Sequence, residues 1–179
     1  MRGVSTVWRC AGIVALGVVG CAPAGGYGGG PAPGRAEPAS NRRFVNPGTL
    51  AALDGFTHAV RIGFTTYVSG EVPLDSAGQL VGRGDLAAQA KQAFANLALV
   101  LRIAGNEPSD IVKLTVYVAD LHPGDVAAIR AAAPAFFPDR DPPAGVVVGV
   151  AALPREGMRI AVDAIAMAPS LFRPRMEQR

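Results

Sequence analysis

One stretch of this chain constrains the rest more than any other. From Asp85 to Ala104, the residues Leu86, Ala90, Phe94, Leu97, Leu101 and Ala104 recur at steps of three and four. That spacing lines one face of an α-helix with apolar side chains. Asp85 supplies an N-terminal cap and Gly105-Asn106 a stop,. Asp85 also ends an Arg-Gly-Asp triplet, which this reading treats as capping and not as a receptor motif.

Around that helix the texture is that of strands. Thr57–Ile62 and Phe64–Ser69 are short β-prone runs meeting near Gly63, a hairpin pattern, with Gly70 ending the second run,. Pro73 to Gly78 is loop chemistry,. Ile111–Val118 alternates bulky residues as a strand does. Asp125–Phe137 reads as a second, Ala-rich helix that Pro134 kinks or shortens,. Val146–Leu153 is almost continuously apolar, which suits a strand covered on both faces,. In the last strand, Met158–Met167, the residues Met158, Ile160, Val162, Ala164 and Ala166 share one face, and Arg159, Ala161, Asp163 and Ile165 share the other,. The order β-β-α-β-α-β-β is an α+β pattern with both helices on one face of a sheet. No further helix is available for the other face, so oligomerisation through the sheet is expected.

The charge distribution separates the ends from the middle. The chain has 179 residues and a formal charge of +3. Residues 44–168 hold nine Lys/Arg against twelve Asp/Glu, a net −3. The basic excess belongs to the two ends, so no nucleic-acid face is expected on the domain. Arg2 and Arg9 flank an uncharged, mostly apolar run from Ala11 to Gly20, too short to span a bilayer,. It leads into Val18-Val19-Gly20-Cys21, which resembles a bacterial lipobox whose Cys thiol takes the lipid. Residues 22–41 contain six Gly and four Pro, a composition that stays a flexible linker,. The expected organisation is a signal at 1–20, an acylated Cys21 with linker to 43, a domain at 44–168 and a flexible tail at 169–179. The lipid would tether the protein to the membrane, and Ala22 after the Cys fits the periplasmic side of an outer membrane. Cys10 and Cys21 are the only cysteines, so the domain has no disulfide,.

Familiar catalytic signatures are missing. The chain has no HExxH, GxSxG or Walker loop, and nothing in it calls for a cofactor,. His58 and His122 lie far apart without Cys partners, so no metal is expected, and both are read as turn or surface residues,.

Several runs in the right order nevertheless resemble one family. They are Val68 through Leu74, Leu97 through Gly105, Val112 through Val118, Pro143 through Pro154, and Val162 through Ala166. Together they resemble the RidA (YjgF) family across residues 44–168. The resemblance implies a chorismate-mutase-like homotrimer with small-molecule pockets between subunits. It implies hydrolysis of enamines or imines to ketones and ammonia, an Arg clamping the substrate carboxylate, and a carboxylate on the last strand that positions water.

Carried over residue by residue, the resemblance places Ser69 and Gly70 at the family's pocket-lining turn. Phe56 falls where a Tyr is common, so a hydroxyl is missing. Asp163 falls where Glu is common and takes the catalytic role. Gly145 occupies the clamp Arg position, and Val146 and Val147 replace polar neighbours, making the pocket more apolar. Arg130 aligns with a pocket-facing position and is a candidate replacement for the lost guanidinium. Buried among apolar neighbours, Asp163 would need a partner, or its pKa would rise. An enamine/imine deaminase of altered specificity, a non-catalytic ligand-binding trimer and a structural or holdase-like interaction protein all remain open at this point.

Overall fold

The computed structural model describes residues 41–168. The predicted signal, Cys21, the linker up to residue 40 and the tail from 169 lie outside the described residues. Six strands form one sheet: β1 (Arg42–Val45), β2 (Ala59–Ile62), β3 (Thr65–Glu71), β4 (Ile111–Ala119), β5 (Ala144–Val150) and β6 (Ile160–Met167). Two helices, α1 (Leu86–Ala104) and α2 (Asp125–Ala132), are inserted before and after β4. The sheet order is β1-β2-β3-β6-β4-β5, with β4 and β5 parallel and every other pair antiparallel.

The helix read from the sequence forms as its ends dictate. The Asp85 side chain accepts the Ala88 N–H at 3.0 Å, so capping does account for the Arg-Gly-Asp triplet. At the other end Gly105 takes the left-handed conformation (φ 87°), and the Asn106 N–H donates to Leu101 O at 2.9 Å. This closes the last carbonyls in a Schellman arrangement. Phe94, Leu97 and Leu101 are fully buried against Val116, Val118, Ile160 and Val162 of the central strands. Each such side chain contributes roughly 1.5–3 kcal/mol by leaving water. Ile129 and Phe136 join the same core, so both helical segments cover one face of the sheet, as expected.

Several boundaries differ from the sequence reading. Strand β1 begins at Arg42, inside the predicted linker, where paired arginines and a single buried residue, Val45, gave no alternating pattern. Strand β3 runs on to Glu71, because Ser69 and Gly70 form a bulge opposite β6 and do not end the strand. Helix α2 stops at Ala132. Pro134 has no N–H to donate, and the chain tightens into a 3₁₀ turn over Pro134–Phe136,. Strand β5 starts at Ala144 and sits at the sheet edge with β4 its only neighbour. It is not covered on both faces: no residue of the strand is buried, and Val146 is half-exposed.

His58 is neither a surface nor a turn residue. It is buried, and its Nδ1 donates to Glu71 Oε1 and Oε2 at 2.9 and 3.1 Å. The Asn46 side-chain oxygen receives the His58 N–H at 3.0 Å and the Thr57 hydroxyl at 2.7 Å. The hydrogen bond to Glu71 raises the His58 pKa above the ordinary 6.5, outweighing the opposing effect of burial. The carboxylate thus makes burial of this ring affordable, and the pair joins the start of β2 to the end of β3.

This pair gives stability a pH dependence of known sign. With the folded pKa raised, the contribution is whole below about pH 6.5 and is lost as pH rises through the folded value. Urea titrations should show unfolding free energy falling as pH is raised above neutrality. Glu71→Gln should flatten that slope, and Glu71→Ala should cost about 3 kcal/mol near neutral pH. A slope unchanged in Glu71→Gln would show that another group titrates.

Candidate functional site

The pairing register decides which side chains share a face. Asp163 lies opposite Thr115 of β4, and Thr115 opposite Val146 of β5. Tyr117, Ala161 and Val148 form the next row on the same face. Ile165, Tyr67, Val60 and Phe44 continue that face across β6, β3, β2 and β1. This is the side away from the helices. Phe44 and Ile62 are exposed there, and Tyr67 and Met167 are about half-exposed.

Asp163 has a partner that the sequence did not indicate. The Tyr117 hydroxyl donates to Asp163 Oδ2 at 3.0 Å, a diagonal cross-strand contact,. The bond raises the Tyr117 pKa, chiefly because the phenol is hydrogen-bonded to a carboxylate. Tyr117 therefore remains a protonated donor at physiological pH. On the other side of Asp163, the Ser69-Gly70 bulge interrupts the β3–β6 ladder between the Val68–Ala164 and Glu71–Val162 pairs. Bulges of this kind re-aim backbone groups and are common beside active sites.

Polar side chains of α1 hold the segments around this bulge. Asn96 donates to Val72 O and Leu74 O at 2.8 and 2.9 Å. Gln89 donates to Gly157 O at 2.8 Å and accepts the Arg159 N–H at 2.8 Å. Both are buried in the helix interface and fully used. Phe56, exposed in the loop before β2, lines a shallow cleft with Ser69, Gly70, His58 and Glu71.

The remaining candidates assemble elsewhere. Arg130, Gly145 and Val147 line a cavity of about 390 Å³ between α2, the 138–143 loop and the β4–β5 edge. Val147 pairs with Val116 and Gly145 with Leu114, which places both on the helix side of the sheet. The Arg130 guanidinium lies 5.7 Å from the centre of the Phe137 ring. Phe137 packs edge-on against Phe94 at 5.5 Å, so the cation rests on an aromatic wall rooted in the core,. Among the described residues Arg130 makes no ion pair.

Gly145 is constrained as well as small. A Cβ there would lie 2.9 Å from the Leu114 carbonyl oxygen, so any side chain requires the strand to shift. The structure therefore brings the predicted residues together in two groups. Asp163, Ser69 and Gly70, with Phe56 in the adjoining cleft, belong to the β3–β6 region. Arg130, Gly145 and Val147 lie on the helix side at the β5 edge. The sheet itself stands between Asp163 and Arg130.

Comparison with known proteins agrees with this architecture. Residues 47–168 match the family described as Endoribonuclease L-PSP. The 2-iminobutanoate/2-iminopropanoate deaminase of Mus musculus is 40% identical over 118 residues, which cover 65% of this chain and 84% of that protein. Protein DfrA of Myxococcus xanthus is 37% identical over 119 residues, 65% of this chain and 88% of that one. Among solved structures, RidA from the Antarctic bacterium Psychrobacter sp. PAMC 21119 has a TM-score of 0.60 at 30% identity. That match covers 70% of this chain and 98% of the other. With its motifs, sheet order and whole-domain similarity in agreement, the chain belongs to the RidA (YjgF) family.

Proposed function

We propose that this chain hydrolyses imines or enamines of 2-amino acids in a pocket completed between subunits of a homotrimer. One observation carries the reading: the sheet separates the carboxylate Asp163 from the cation Arg130 within a single chain. The two can meet one substrate only if a neighbouring subunit brings its Arg130 edge to the Asp163 side. The open part of the face that carries Asp163, where Phe44, Ile62, Tyr67 and Met167 stay exposed, supplies the reason to assemble, since large exposed apolar patches mark interfaces, whereas Ala161 and Tyr117 on the same face pack with Leu53, Leu74 and Leu80,.

In this arrangement Arg130 holds the substrate carboxylate. Tyr117 fixes one oxygen of Asp163 and leaves the other to face water. Water adds its oxygen to the imine carbon while Asp163 accepts its proton. The proton passes to nitrogen, the carbon–nitrogen bond breaks, and ammonia leaves a ketone behind. Water supplies the ketone oxygen and two hydrogens of the ammonia, so no redox partner or cofactor enters. The loss at Gly145 supports a second reading, a trimer that binds such ligands without turning them over.

We also propose that a lipid at Cys21 tethers the domain to the periplasmic side of an outer membrane. Labelled palmitate should enter the wild-type chain and not Cys21→Ser. Equal labelling of the two would remove the tether.

For the chemistry, the purified protein is offered 2-iminobutanoate generated in situ beside an uncharged imine. Ketone should form faster than in buffer from the first, and Asp163→Asn should lower kcat about 100-fold or more. Tyr117→Phe should lower kcat about 10-fold with KM and thermal midpoint nearly unchanged, the sign of a positioning role. Binding without acceleration of either imine would favour the non-catalytic reading. Light scattering should give three subunit masses, and a mass of one subunit would overturn the shared pocket.

A further inference from the structure

We infer that the Arg130 cavity selects monocarboxylates with a bulky apolar side chain, branched aliphatic or aromatic, over two- to four-carbon imino acids. The inference rests on the proposed reading of the site and narrows its substrate class. The observation behind it is the cavity itself. Its volume of about 390 Å³ falls within the range of pockets that enclose whole small molecules,. That leaves room for several more carbons than a four-carbon imino acid has.

The walls are apolar where a side chain would sit. Leu114, Val116, Val147, Phe136, Phe137 and Pro143 line it, and Leu114, Val116 and Phe136 are themselves buried. Arg130 is the only cation among the lining residues. It stands at one side over Phe137, so a ligand carboxylate would anchor there and direct the remainder of the molecule along the apolar wall. Asp139 is the only anion in the lining, which opposes a second carboxylate on the ligand.

Gly145 explains why the space is available. Gly145 lines the cavity and contributes no side chain to it. The 2.9 Å approach to Leu114 O leaves no path for a replacement without moving β5. With Arg130 as the clamp on the second helix, the wall at Gly145 stays open to the substrate. Discrimination in such a pocket is of the order of 10-fold or more per methylene.

Two measurements test this, one of which does not depend on turnover. In the first, imines generated in situ from leucine, phenylalanine, alanine and aspartate are compared. The kcat/KM for the leucine- and phenylalanine-derived imines should exceed that for the alanine-derived one at least about 10-fold, with the aspartate-derived one slowest. Val126→Phe, which reaches into the cavity from α2, should bring the leucine-to-alanine ratio down toward one. In the second, calorimetry compares 4-methyl-2-oxopentanoate with 2-oxopropanoate, which carry oxygen in place of the imine nitrogen. The larger acid should bind at least about 10-fold tighter, and Arg130→Leu should abolish binding of both. Hydrolysis that favours the alanine-derived imine would overturn the selectivity and leave the hydrolase reading standing. Absence of all hydrolysis, with the binding preference intact, would overturn the hydrolase reading and leave the selectivity standing. Equal binding of the two oxo acids would overturn the selectivity whatever the kinetics.

Discussion

Everything in this structure follows from the apolar seam between α1 and one face of the sheet. Phe94, Leu97 and Leu101 meet Val116, Val118, Ile160 and Val162 there without admitting water. Because side chains alternate along a strand, committing the even positions of β6 to that seam commits Asp163 and Ile165 to the other side. That other side, open around Phe44, Ile62 and Tyr67 and packed around Ala161 by Val72, Leu74 and Met158, is thus a necessary product of the core. So is the placement of Asp163 among Thr115, Tyr117 and the β3 bulge.

That seam also divides the chemistry. Arg130 projects from α2 and rests against Phe137, which belongs to the same aromatic cluster as Phe94. Arg130 stands on the helix side of the sheet, whereas Asp163 lies on the opposite side, beside Tyr117. On the proposed reading, a site that uses both draws them from different copies, each half set by the folding of its own subunit. This is preorganisation at the level of assembly.

The sequence disclosed what repeats and concealed what pairs. Helix α1, the β2–β3 hairpin at Gly63 and the alternation of β6 were legible because periodicity and caps are local signals. The resemblance singled out Asp163, Ser69 and Gly145 as candidates by order along the chain. Tyr117 as the partner of Asp163 was not legible, because the two are brought together only by the β4–β6 register. His58 failed for the same reason: a lone histidine reads as surface until a carboxylate thirteen residues away is found against it. The bulge at Ser69-Gly70 was mistaken for a strand end, since a glycine marks either one. The edge position of β5 was hidden because an apolar run looks the same whether helices or other subunits cover it.

The close approach of β5 to Leu114 bears on how such a chain can change over time. A glycine that merely lacks a side chain can regain one by a single codon change. At Gly145 the neighbouring backbone has closed into the space a Cβ would need. Placing a larger residue there requires a second alteration that lets the edge strand shift, and either step alone is disfavoured. Substitution here is gated by the neighbouring strand, so the cavity is more readily tuned through α2 than through β5.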